Sequence, residues 1–291
     1  ETIDAFGRRR LGKAFAETLL DPMVKGIFGG DSRQLSLEAC FPKMVDMEKE
    51  HGGLFRAMIA KARAARRAAR NGEQPEAGGP AGPSGVLHSF RTGMSALPAA
   101  LAATMEGNIR AGMAVEKVER RNGAWWLQAG EKEWGPYDVV VDATPAHAAA
   151  LHHGTDAELS ARLEEIPYAP MAVITLAFDR QELGEACEGF GMLIPSAERR
   201  RLLGVLWSAS IFKERAPADR VLLRCMAGGA SDPGVMAQSD DQLLAMTLDE
   251  IRAIHGRVAE PARAWIIRHE AAIAQYRPGH PALLTALEAT R

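Results

Sequence analysis

Apolar positions recur at helical spacing through the first seventy residues and then change period. Leu11, Phe15 and Leu19 stand four apart, with Arg8, Arg9, Arg10 and Lys13 around the stripe, which predicts an amphipathic helix over residues 1–20. Asp21-Pro22 is expected to break or restart it, because proline lacks the N–H and disfavours helical backbone before it. Gly26 to Asp31 reads as a turn or loop. Ser36 is a candidate N-cap for the next helical piece, with Pro42 as an interruption. Residues 43–70 read as helix on Met44, Met47, His51, Leu54, Phe55, Met58 and Ile59, and the end of that stretch, Lys61 to Arg70, is basic. Asn71 to Gly85, rich in Gly, Pro, Ala and Glu, reads as a flexible boundary.

After Gly85 the pattern turns towards extended chain. Val86–Phe90 is a short strand candidate and Ser95–Met105 a helix with Pro98 in its first turn. Met113–Arg120, Asn122-Gly123 and Ala124–Ala129 spell a β-hairpin closed by an Asn-Gly turn. Asp138–Ala143 is an apolar run of the buried-strand kind. A short helix over 156–165 precedes strand candidates at Met171–Phe178, Gly189–Ile194, Leu202–Ser208 and Val221–Met226. Ser239-Asp240 caps a predicted helix running to about His255, with Leu243, Leu244, Leu248 and Ile251 inward, and Ala264–His269 is a last strand. Helices followed by strands, without regular alternation, suggest α+β or a mixed-sheet fold and not an alternating α/β chain; the fold class expected is α+β, a helical region plus a mixed, mostly antiparallel sheet.

Composition narrows the function classes. With 291 residues and a formal net charge of -2, the chain lacks the strongly basic balance of a nucleic-acid binder, so no nucleic-acid partner is expected. Its three cysteines, Cys40, Cys187 and Cys225, are far apart and fit a reducing, cytoplasmic setting better than a disulfide framework or a zinc site. No stretch approaches the ~20 apolar residues that span a bilayer. The start, Glu1-Thr2-Ile3-Asp4, has no signal-peptide pattern and no Met, which suits a start inside a longer reading frame. The eight histidines show no metal spacing, and His152-His153, being adjacent, are expected to point apart. Gly82-Pro83-Ser84-Gly85 lacks the nucleophile-elbow context, so no Ser-His-Asp set is expected. Phe90-Arg91-Thr92-Gly93-Met94, before Leu97-Pro98, is either an ordinary turn or a place where backbone approaches a ligand closely.

Taken in order, several segments resemble one family. They are Gly26-Ile27-Phe28-Gly29-Gly30-Asp31, Leu35-Ser36, Phe41-Pro42, Glu48 with Gly52-Gly53, Phe90 to Pro98, Asp142-Ala143-Thr144-Pro145, Glu188 to Ser196 around Phe190, and Gln275-Tyr276 with Gly279-His280. This set is similar to oxygen-dependent protoporphyrinogen oxidase and flavin-type coproporphyrinogen oxidase, members of the flavin amine oxidase superfamily. The resemblance covers nearly the whole chain. The segments around Phe190 and from Gly26 to Asp31 are the most family-specific; the Phe90 and Asp142 segments are shared across the superfamily.

The resemblance implies an FAD-dependent oxidase acting on a porphyrinogen in heme biosynthesis, a tetrapyrrole substrate, and the substrate domain of a p-hydroxybenzoate-hydroxylase-like flavoprotein. It implies cofactor contacts at Ala114 and Val115 on the hairpin, at Ala143, Thr144 and Pro145, and at Gln275, Tyr276 and Gly279. It implies substrate packing at Phe190 and Met171. No catalytic acid or base and no metal ligand follows from it. The family has Gly where Thr92 stands and Pro where Ala274 stands, which puts the fit at those two points in doubt. Nothing here matches the Gly-x-Gly-x-x-Gly dinucleotide unit that opens the family, nor its closing flavin segment, so the chain is expected to be a central portion.

The implied division is a helical, membrane- or substrate-facing region at 1–85, part of the FAD domain at 86–150, a substrate sheet at 151–262 and a return towards the FAD domain at 263–291. The Lys61–Arg70 run reads either as a solvated helix face or as a peripheral contact with an anionic membrane. Another flavin amine oxidase relative, or a non-catalytic tetrapyrrole-binding module, are the alternatives to a porphyrinogen oxidase. The oligomeric state is unassigned.

Overall fold

In a computed structural model of the chain, the structure describes residues 1–70, 87–183, 187–256 and 258–289. The expected boundary at Asn71–Gly85, and Val86, lie outside the described residues. Leu87–Phe90 form no strand.

The first residues build a helical layer. Thr2 caps helix Ile3–Leu11 through its hydroxyl, which accepts from the Ala5 N–H (3.3 Å). The chain breaks at Gly12, whose φ of 90° suits glycine, and then stays helical from Lys13 to Phe28. Asp21-Pro22 therefore does not break it. Pro22 sits in the first turn of Asp21–Phe28, and the wide π turn at Ala16–Leu20 ahead of it absorbs the missing bond. The break and the π turn also shift the helical phase. Phe15 and Leu19 face outward, while Ile3, Phe6, Leu20, Val24, Leu35 and Leu37 make the core. Gly26–Phe28, expected as loop, is the last helical turn, closed by Gly29 in the left-handed region. Ser36 caps Leu37–Cys40 as expected. The 43–70 stretch is two helices, Pro42–His51 and Leu54–Arg70, parted by left-handed Gly52. Arg9 grips Glu1 (2.7 Å) and Glu48 (2.7 Å), and Arg10 also pairs with Glu48.

A small sheet follows helix Ala96–Thr104. Strands β1 (Lys117–Arg121) and β2 (Ala124–Ala129) form the expected hairpin, with Asn122 at φ 52° and Gly123 at φ 84°, as a type I′ turn requires. A third strand, β3 (Lys132–Tyr137), was hidden by its charges, Gly135 and Pro136. Asp138–Ala143 is not the buried strand its valines suggest. It pairs with nothing among the described residues, and Val139 and Val141 are 74% and 84% exposed. Helices Ala146–His152 and Ala157–Glu164, the second capped by Asp156, lead into the main sheet.

That sheet has β4 (Tyr168–Asp179), β5 (Gly191–Leu193), β6 (Leu202–Trp207), β7 (Arg220–Gly228) and β8 (Arg263–Ala274), ordered β5-β6-β7-β4-β8 and antiparallel throughout. It runs past residue 262, because β8 pairs along nearly the whole of β4. Alternation along β4 sets two faces. Ala172, Ile174, Leu176 and Phe178 pack with Leu223 and Cys225 against Leu243, Leu248 and Ile251 of helix Asp240–His255. That helix starts in a capping box, Ser239 with Gln242. Met171 and Val173 point the other way, with Leu203, Met226 and Ile273.

Candidate functional site

The second face of the sheet is half roofed. The C-terminal end of helix Asp21–Phe28 lies over it, so close that a side chain at Gly26 would strike Leu193 and one at Gly29 would meet Met171 Cε at 2.9 Å. Gly29 and Gly229 touch backbone to backbone, and the Gly29 carbonyl accepts from the Ala230 N–H (2.7 Å). The side-chain Nε2 of buried Gln275 donates to the carbonyls of Phe28 (2.8 Å) and Ile273 (3.1 Å). Lys25, buried, reaches the Ile194 carbonyl at 3.3 Å. Burial pushes its ammonium below the usual lysine range, against the pull of Asp21 and Asp31. The glycine-rich Gly26–Asp31 segment thus seats the helical layer on the sheet.

At the end of β4 and β8 a cleft of about 610 Å³ opens between Glu38, Ile166, Tyr168, Tyr276, His280 and Leu284. Tyr276 stacks on His280 with centroids 4.6 Å apart, and Phe28 meets it edge-on at 6.5 Å. Burial holds the His280 imidazole below its usual pKa, hence neutral at pH 7. Helix His280–Ala289, which the apolar pattern did not flag, forms one wall. Tyr168 is the hinge of this corner. Its oxygen accepts from the Ala146 N–H (2.9 Å), and His147 packs on its ring edge at 4.9 Å. Pro145, Tyr168 and Tyr276 are thereby gathered at one end of the sheet. Nothing in the sequence singled out Tyr168, whose part depends on a partner more than twenty residues earlier in the chain.

Asp142 organises the strap before Pro145. Its Oδ1 accepts from the Thr144 N–H (3.0 Å) and hydroxyl (2.6 Å), while Oδ2 lies 3.0 Å from His152 Nδ1 and 3.4 Å from His153 Nε2. The two histidines converge, contrary to the expectation that they point apart, because His153 has left the helix that ends at His152. Burial alone would raise the Asp142 carboxyl. The hydrogen bonds from Thr144 and His152 outweigh it and hold the carboxyl below its usual range.

The remaining expected residues stand apart from this corner or at its rim. Ala143, Thr144, Pro145 and Gly279 are exposed. Ala114 and Val115 precede β1 and are not part of the hairpin ladder, which begins at Lys117. Met171 is buried against the seam, whereas Phe190 is 57% exposed at the entry to β5. Phe190 is held by its backbone: its carbonyl accepts from the Trp207 N–H (3.1 Å), and the neighbouring Gly189 N–H bonds Ser210 (2.8 Å). Among the described residues no His, Cys, Asp and Glu cluster suits a metal. The corner offers aromatic and apolar surface to a flat ring, with little acid–base chemistry of its own. The main chain of Val139–Val141 has no hydrogen-bond partner among the described residues, and its N–H and C=O groups are open to a ligand or a further strand. No Gly-x-Gly-x-x-Gly loop for a pyrophosphate occurs among them.

The family described as flavin containing amine oxidoreductase matches residues 1–280. The chain belongs to this family. Protoporphyrinogen oxidase 1, chloroplastic, of Arabidopsis thaliana is 27% identical over 96% of this chain and 54% of its own length. Coproporphyrinogen III oxidase of Propionibacterium freudenreichii subsp. freudenreichii is 30% identical over 96% of this chain and 55% of its own. Among solved structures, a protein of Exiguobacterium sp. 255-15, provisionally described as protoporphyrinogen oxidase, superposes with a TM-score of 0.78 at 23% identity, covering 99% of this chain and 58% of that one. Cyclohexylamine oxidase of Brevibacterium oxydans IH-35A gives 0.57 at 15%, over 99% and 59%. The chain spans about half the length of the curated relatives it matches. Its α+β architecture is that of flavin amine oxidase-like proteins.

Proposed function

We propose that this chain is the substrate-side part of an FAD-dependent porphyrinogen oxidase, which converts protoporphyrinogen or coproporphyrinogen to the porphyrin with O2 as acceptor in heme biosynthesis. The observation that carries this reading is the match to relatives named for these two substrates along 96% of the chain. Hydride acceptance and its reoxidation by O2 are the chemistry FAD supplies when bound. The chain's own residues orient and shelter. Ala143, Thr144 and Pro145 with Gln275, Tyr276 and Gly279 lie along the flavin ring in this reading, with Ala114 and Val115 towards its adenine. Phe190 and Met171 border the tetrapyrrole, where a ring stacked on Phe190 gains roughly 1 kcal/mol beyond area burial. In this reading residues 1–70 and the five-stranded sheet, β8 included, form the substrate side, and 87–150 with 275–289 approach the cofactor.

Two readouts test this. After incubation with FAD and desalting, retained visible flavin absorbance reports the cofactor. Quenching of coproporphyrin fluorescence on adding the protein reports the ring site without needing flavin. Saturable quenching supports the reading, and its absence at any protein concentration rejects the substrate class.

A peripheral membrane contact is part of the proposal. Helix Leu54–Arg70 exposes Phe55, Met58 and Ile59 beside Arg56, Lys61, Arg63, Arg66 and Arg67. At an anionic bilayer each such cation contributes about 1 kcal/mol. No helix among the described residues is long and apolar enough to cross a membrane. Co-sedimentation with anionic but not neutral vesicles, weakened by charge reversal at Arg63 and Arg66, is the expected result.

A further inference from the structure

We propose that Arg224 is a carboxylate-binding residue, placed to hold an acidic arm of a tetrapyrrole lying on the open half of the five-stranded sheet; this rests on the porphyrinogen reading above. A carboxylate arm calls for an arginine, whose guanidinium pairs with it bidentately. Among the described arginines on that face of the sheet, Arg220 pairs with Asp179 and Arg263 lies over the Trp265 ring at 5.0 Å, which leaves Arg224 without a side-chain partner.

Arg224 lies on β7, between strands on both sides. Its neighbours Leu223 and Cys225 are fully buried under helix Asp240–His255, so Arg224 points to the other face, where it is exposed. Its opposite residues are Leu206 on β6 and Thr175 on β4, and Thr175 in turn faces Trp265 on β8. Leu222 and Met226 flank it along its own strand on that face. None of these is acidic, and the Arg224 side chain makes no ion pair or hydrogen bond among the described residues. Arg220, four residues earlier on the same face, is the internal contrast. Its ladder partner is Asp179, and the two form an ion pair. Of these two cations on one strand, one is matched by an acid across the ladder and the other is set among Leu, Thr, Met and Trp.

An exposed guanidinium in apolar surroundings suits a planar, bidentate anion on an otherwise apolar ligand. The same face supplies the apolar part. Val173 and Met226 lie one row away, about 7 Å along the strands, and Met171 and Leu203 lie beyond them under the Gly29 roof. In the Arg224 row, Trp265 is 40% exposed on the far side. Five strands set about 4.8 Å apart give a platform roughly 19 Å across. A ring carrying an acid at its rim can therefore place its apolar body towards Met226 and Val173 while the carboxylate reaches Arg224.

The test is fluorescence titration of the full chain with coproporphyrin III and, in the same mixed solvent, with its tetramethyl ester. The wild type, Arg224→Leu and Arg224→Lys are compared. Arg224→Leu is expected to weaken binding of the free acid by about tenfold to a hundredfold. Ester binding should be the same in wild type and Arg224→Leu, and Arg224→Lys should recover part of the loss. If Arg224→Leu binds the free acid as tightly as wild type, the assignment of Arg224 fails while the porphyrin reading stands. Equal loss for acid and ester means a damaged sheet surface, and also overturns the assignment. If wild type binds neither compound, the porphyrin reading fails and takes Arg224 with it.

Discussion

At Gly191 the backbone holds φ at 139°, and a β-carbon there would sit well inside contact distance of the Val205 carbonyl oxygen. The strand pairing that fixes Phe190 therefore needs the absence of a side chain one residue later. Gly191→Ala is expected to cost about 2–4 kcal/mol in urea unfolding, from backbone strain and the clash together. Gln275 is a second residue with an outsized part. Gln275→Leu would strand the Phe28 carbonyl at the helix end that its amide now satisfies, for a loss of about 1–3 kcal/mol measured the same way. Both residues lie in segments the sequence marked, yet for other reasons. Gln275 was expected beside a flavin, and its side chain turns out to tie a helix end to the sheet. Arg224 had no signal at all, since a lone arginine in a strand reads as solvated until its ladder neighbours are known.

Elements were legible where local chemistry decides them. The Asn-Gly hairpin, the Ser36 and Ser239 caps and the strands from Met171 to Met226 follow from turn residues, hydroxyl caps and alternation. Illegible elements depend on partners distant in sequence. Asp138–Ala143 has the composition of a central strand, but a strand exists only where another pairs with it. The strap it forms is set instead by Asp142, which gives it a pH dependence. A depressed carboxyl stabilises the fold fully above its unfolded pKa, near 3.8, and loses that contribution as pH falls through the lower folded value. Acid titration should therefore show Asp142→Asn less stable than wild type at pH 6, with the difference shrinking below pH 4. A gap that stays constant from pH 6 to pH 2 would remove Asp142 ionisation as the cause.

For the whole molecule, the helical layer and the five-stranded sheet share one seam, whereas β1–β3 bury only Val118 fully. A three-stranded sheet with so little apolar cover holds its amides weakly. In hydrogen exchange, amides of β4, β7 and the Asp21–Phe28 helix should exchange last and at a common rate, with those of β1–β3 far earlier. Separate limiting rates for the helix and for β4 would mean that the seam does not couple them. The seam's closest point is Gly29 against Gly229, main chain on main chain. Such a joint has no side chain whose size could be traded against a neighbour's. Side-chain substitutions on either surface can therefore change its chemistry, and with it the ligands it favours, without altering the distance between helix and sheet.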